Sequence, residues 1–97
     1  MINTKDSYRR NRDILQRELD GEIFLIDDEL GKIHALDPMA GGIWRLLEQP
    51  MTVYDIVATF SAAFPDRKTK DLRRHVTRFV DDMRQNNLAV RVTTPEL

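Results

Sequence analysis

The dipeptide Asp20-Gly21 lies between two short runs of strand-forming residues, and it restricts this chain more than any other feature. Glycine accepts the positive φ of a two-residue hairpin turn, which makes Asp-Gly a strong short-range hairpin signal. The flanking runs are Ile14-Leu15-Gln16-Arg17-Glu18-Leu19 and Glu22-Ile23-Phe24-Leu25-Ile26-Asp27. The second is dense in β-branched and aromatic residues, which favour a pleated, half-buried surface. A further turn, Asp28-Glu29-Leu30-Gly31, leads into Lys32-Ile33-His34-Ala35-Leu36. Residues 13–36 therefore predict a three-stranded antiparallel meander. Strand alternation puts Ile33 and Ala35 on one face of the third strand, and His34 and Leu36 on the other.

Helical signals follow. Asp37-Pro38 is a capping acid followed by proline at the first helical position. The helix is expected to reach about Glu48 and to turn Ile43, Trp44 and Leu47 inward. Gly41-Gly42 inside it costs on the order of 1 kcal/mol per glycine against alanine, which points to close packing of helix on sheet. Thr52, with Asp55 three residues on, opens a second helix. Val53, Ile56, Val57, Phe60 and Phe64 form its stripe. Thr69 is read as the cap of a third helix, with Leu72, Val76, Phe79, Val80 and Met83 buried. Asn86-Asn87 is a left-handed stop, and residues 88–92 form a short terminal strand. The fold class is α+β: a three-stranded antiparallel meander, three helices and a short terminal strand, winged helix-turn-helix-like in outline. Residues 1–12 are polar apart from Ile2 and Tyr8 and are read as a flexible N-terminal arm. Residues 13–92 are read as the domain and residues 93–97 as a C-terminal tail.

Composition narrows the chemistry. Ninety-seven residues, 41% hydrophobic and 32% charged, suit one soluble globular domain. The absence of cysteine removes a disulfide framework, a thiolate zinc site and a thiol nucleophile, and fits a reducing cytoplasm. The longest apolar run, Ile23-Phe24-Leu25-Ile26, is far short of the ~20 residues that cross a bilayer, so no membrane partner is expected. His34 and His75 have no metal-ligand spacing, Asp27-Asp28-Glu29 lacks the spaced oxygens of a calcium loop, and Gly41-Gly42 matches no phosphate-loop pattern. No catalytic residue, metal or cofactor is expected, and the chain reads as a binding module rather than an enzyme.

Charge is unevenly spread. Residues 13–29 hold seven acids against the single base Arg17, and residues 67–78 hold six bases against Asp71. A basic third helix in a winged-helix outline raises the alternative of a DNA-binding protein. A pI near 6.1 and the acidic sheet argue against nucleic acid. Peptide binding is the other candidate, because the third strand is short, alternating and only mildly charged. Such an edge can accept an added peptide strand. Exposed edges also allow a homodimer or strand swapping.

The residues then resemble a known family. Gly21-Glu22-Ile23-Phe24-Leu25-Ile26, followed by Gly31-Lys32-Ile33-His34-Ala35-Leu36-Asp37 and Gly42-Ile43-Trp44-Arg45-Leu46-Leu47, is similar to the strand, strand and "IW-x-L-L" succession of the PqqD family. The Thr52-Val53-x-x-Ile56 entry to the second helix and the closing Phe79-Val80-x-x-Met83-x-x-Asn86-x-Leu88 match as well. The resemblance implies a RiPP recognition element: a peptide chaperone that binds the leader of a ribosomally made precursor and presents it to a modifying enzyme, often a radical S-adenosylmethionine enzyme. In the family the leader adds to the third strand and lies against the third helix. Carried over, this implies a groove on Lys32, Ile33, His34, Ala35 and Leu36 and on the Thr69, Arg73, Val76, Thr77 and Val80 flank, with Arg73 as its rim charge. Asp37 replaces the usual Asn and His34 the usual aromatic, which implies a groove tuned to another ligand.

Overall fold

Asp20 and Gly21 both adopt positive φ, 52° and 84°, and Leu19 pairs directly with Glu22 across them. This is the two-residue turn whose twist matches that of the strands it joins. The computed structural model describes residues 2–92. In it the turn links β2 (Leu15–Leu19) to β3 (Glu22–Asp27). Gly31, at φ 66°, closes the next turn into β4 (Lys32–Leu36). Within that turn the buried Asp27 carboxylate accepts the Leu30 N–H at 3.1 Å. The sheet order is β2-β3-β4, antiparallel throughout, as the meander reading expects.

Two of the three helices also begin where their caps indicate. Asp37 accepts the Ala40 N–H at 2.8 Å and opens α1 (Pro38–Leu46). Thr52 and Asp55 form a reciprocal capping box at α2 (Val53–Ala63). For α3 (Thr69–Gln85) the cap is Lys68, with no side-chain hydrogen bond, and Thr69 is already inside the helix. At its far end Asn87 takes φ 59°. Leu88 N–H donates to the Met83 carbonyl and Asn87 N–H to that of Arg84, the paired bonds of a Schellman stop. Buried Leu88 and Met83 supply the apolar contact that accompanies it.

The N-terminal segment departs from expectation. Residues 1–12 are not a flexible arm where the structure describes them. Ser7–Arg10 form β1, the middle strand of a second antiparallel sheet, between β5 (Met51–Thr52) and β6 (Ala89–Val92). Of the few apolar residues in the segment, Ile2 and Tyr8 are both buried. Arg10 N–H donates to the Leu47 carbonyl at 2.9 Å and Arg10 Nε to the Trp44 carbonyl at 2.8 Å, so Arg10 occupies the orphan carbonyls at the end of α1. Burial lowers the pKa of its guanidinium, with Glu48 opposing the shift and Arg45 adding to it. The tail expected at residues 93–97 lies outside the described residues.

One core joins both sheets to the helices. Trp44, 1% exposed, donates its indole N–H to Gln16 of β2 at 2.7 Å and lies under the Arg10 guanidinium of β1 at 4.9 Å. The glycines of α1 allow close approach: a Cβ on Gly41 would lie 3.3 Å from Ile23, and one on Gly42 3.0 Å from Phe60. Gly41 thus fits α1 to the sheet, as the sequence implies, whereas Gly42 fits it to α2. Phe64, expected in the α2 stripe, falls past the helix end and is exposed.

Candidate functional site

The position of β4 at the edge of its sheet decides what the strand can do. Among the described residues, the strand order leaves one side of β4 unpaired. The two-residue turn makes Leu19–Glu22 a hydrogen-bonded pair, and bonded and non-bonded pairs alternate along an antiparallel ladder. With the observed register, β3 turns the backbone groups of Ile23, Leu25 and Asp27 toward Leu36, His34 and Lys32. The N–H and C=O groups of Ile33 and Ala35 consequently face the free edge. An added strand would find two donors and two acceptors there.

Side chains on the same strand divide as the alternation requires. Leu36 is buried and His34 half-buried on the face toward α1, while Ile33 and Ala35 are exposed on the other. Just past Leu36 a hollow of about 180 Å³ opens between α1 and α3. Met39, Ala40 and Ile43 of α1 and Phe79 of α3 line it with apolar surface, and Asp37, His75, Arg78 and Asp82 bring charge and hydrogen-bonding groups to it. His75, Arg78, Phe79 and Asp82 follow the i, i+3, i+4, i+7 spacing of one helix face. The hollow therefore combines an apolar lining with polar groups of both signs, beside a strand with unpaired backbone. This arrangement suits an extended peptide with a large apolar side chain.

The flank of α3 assigned from sequence is the opposite one. Val76 and Val80 are 0% exposed and belong to the core, so neither offers surface to a ligand. Arg73 lines a separate hollow with Thr4, Val53, Tyr54 and Val57, toward α2 and the N-terminal segment. Thr69 is exposed at the start of the helix and Thr77 is half-buried. The stripe of α3 is Leu72, Val76, Val80 and Met83. Phe79 lies at its border and is only partly buried, because it leans into the α1–α3 hollow. A large aromatic at the border of a stripe, beside His75 and Arg78, was the available signal for this flank. Lys32, Ile33, His34, Ala35 and Leu36 do lie on the edge strand as the sequence reading requires. Among the described residues no group of three or more His, Cys, Asp or Glu is placed to hold a metal ion, and no helix is long and apolar enough to cross a membrane.

The geometry has counterparts among solved structures. TbiB1 in complex with the TbiA(beta) leader peptide is 20% identical, with a TM-score of 0.77, over 89% of this chain and 99% of that one. Lasso peptide synthetase B1 complexed with the leader peptide is also 20% identical, with a TM-score of 0.74, over 86% and 96%. The PqqD truncation of Methylobacterium extorquens PqqCD, described as a stand-alone RiPP recognition element, is 17% identical, with a TM-score of 0.76, over 94% and 96%. At these identities the likeness is one of fold: mixed α+β, with antiparallel sheets and three helices. Curated protein sequences gave no match. The family model described as coenzyme PQQ synthesis protein D matches residues 22–89, from the start of β3 into β6, and the chain belongs to the PqqD family.

Proposed function

We propose that this chain is a peptide chaperone that binds the leader of a ribosomally synthesised precursor. The leader adds as a strand along β4, and one of its large apolar side chains enters the α1–α3 hollow. The carrying observation is the free edge of β4 beside that hollow. Two solved structures of the same fold are described as leader-peptide complexes, which supports the reading. Backbone hydrogen bonds from Ile33 and Ala35 supply affinity that is indifferent to sequence, and the hollow supplies selection. Arg78 and His75 favour a leader carboxylate, while Asp37 and Asp82 favour a base at the other polar contacts. The chain does no chemistry itself and presents the leader to a modifying enzyme in the cytoplasm, a radical S-adenosylmethionine enzyme being the class the family resemblance implies. The basic residues of α3 divide between two hollows, Arg73 in one and Arg78 in the other, which disfavours a single phosphate-tracking face.

The test is titration of the labelled leader of the partner precursor into the parent chain, Ala35→Pro and His34→Pro. Proline removes an N–H. At Ala35 the lost donor faces the edge, so affinity should fall roughly tenfold while stability changes little; at His34 it belongs to the β3–β4 ladder, so stability should fall instead. Equal leader affinity in the parent and Ala35→Pro would move the site off this edge.

A further inference from the structure

The outer face of the β2-β3-β4 sheet carries an apolar surface that the fold leaves uncovered. Register sets Leu15, Ile26 and Ile33 in one row across the three strands, and Arg17, Phe24 and Ala35 in the next. Leu15, Leu19 and Ile33 are 45%, 63% and 69% exposed. The opposite face is occupied: Gln16 bonds to Trp44, Glu18 pairs with Arg45, and Ile23, Leu25 and Leu36 are buried. A soluble domain has no need of leucine or isoleucine on its water face, and a contiguous patch of them marks a contact with another protein.

The surroundings of the patch define that protein. Asp20 and Glu22 stand at its hairpin end, and Asp13, Asp28 and Glu29 stand near its other end; these five acids outnumber the three exposed bases nearby, Arg17 within the rows and Arg12 and Lys32 at the far end. Two copies pressed face to face would oppose like charges. An anionic membrane or nucleic acid would be repelled for the same reason. The complementary surface has an apolar centre and a lysine- or arginine-rich rim.

Ile33 and Ala35 connect this face to the leader edge, since their side chains lie on the face while their backbone groups line the edge. A strand added to β4 would place every second side chain beside Ile33 and Ala35, extending the same surface by one row. We infer that the outer face, centred on Leu15, Phe24, Ile26 and Ile33, is where the modifying enzyme docks through an apolar surface with a basic rim. The inference rests on the leader-presentation reading for its choice of partner. Because the leader becomes part of the surface, leader binding and docking strengthen each other by the same factor.

The probes are two synthetic amphipathic helices, one of leucine and lysine and one of leucine and glutamate, titrated into isotope-labelled chain with and without leader. The leucine–lysine helix should shift the amides of β2 and β3, bind more tightly when leader is present, and weaken roughly tenfold against the double variant Leu15→Ser/Leu19→Ser. The variant should keep the parent's leader affinity, so a failure of docking is seen apart from a failure of leader binding. Equal binding of the two helices, or no effect of the double variant, would overturn the inference. So would self-association of the chain alone that the double variant abolishes, which would give the face to a second copy.

Discussion

The two sheets have the same number of strands and are assembled in opposite ways. The β2-β3-β4 sheet is local: each strand pairs with its chain neighbour through a short turn. It keeps free edges and an exposed apolar face. The β5-β1-β6 sheet is non-local: it joins the beginning, middle and end of the chain, and β1 pairs on both sides. Its middle strand is polar at most positions and anchored by Tyr8. The local sheet leaves an edge and a face open, and the non-local sheet fastens the ends of the domain together. Strands whose pairing is specified by adjacent turns can be left partly open, whereas a sheet gathered from distant segments needs tertiary contacts to exist.

Removing residues 1–10 breaks this contrast most directly. The deletion takes out the common neighbour of β5 and β6, the Tyr8 side chain and the Arg10 bonds to α1, and cooperative thermal unfolding monitored by circular dichroism should be lost. A truncated chain melting within a few degrees of the parent would make the second sheet dispensable. Trp44→Ala comes next, because Trp44 touches both sheets through Gln16 and Arg10. Its loss should cost about 3–5 kcal/mol in chemical denaturation, the range of large buried aromatics. Trp44→Phe should recover part of that, since it keeps an aromatic ring in the core but is smaller and gives up the indole hydrogen bond.

Gly42→Ala sharpens the contrast at the helix that bridges the sheets. The added Cβ would stand 3.0 Å from Phe60, so overpacking of about 1–3 kcal/mol should exceed the helix-propensity gain of about 1 kcal/mol. A stabilised variant would mean that Phe60 moves aside freely. The smallest effect concerns the leader. Arg78→Ala should weaken binding of an acidic leader by at most about 1 kcal/mol, as exposed ion pairs do, and Arg73→Ala should do less, because Arg73 faces the other hollow. Reversal of that order in a titration would return the groove to the flank read from sequence.

Much of the local architecture was legible. Asp20-Gly21, the Asp37-Pro38 start, the Thr52–Asp55 box and the left-handed Asn87 act over a few residues, and each sits in the conformation its chemistry favours. Ile33 and Ala35 were correctly set against His34 and Leu36 by alternation alone. The N-terminal strand was not legible, because Tyr8 alone among the polar residues of Ser7–Arg10 carries no periodicity. That Val76 and Val80 are core rather than groove surface was not legible for a related reason. A helical wheel shows that Val80 borders Arg73 and Thr77, yet it cannot show which border faces α1.

The chain's own order of residues determined the β2-β3-β4 meander and the starts of α1 and α2, because caps, turns and alternation are properties of adjacent residues. It also determined that β4 alternates between an inward and an outward face. Only the tertiary structure decided that β1 is the centre of a sheet, that Val76 and Val80 belong to the core while Phe79 and Arg78 border a hollow, and that the apolar row Leu15, Ile26 and Ile33 stays uncovered. These outcomes depend on which distant segments come to lie against one another, and that is settled by the burial of the whole core rather than by any one stretch of chain.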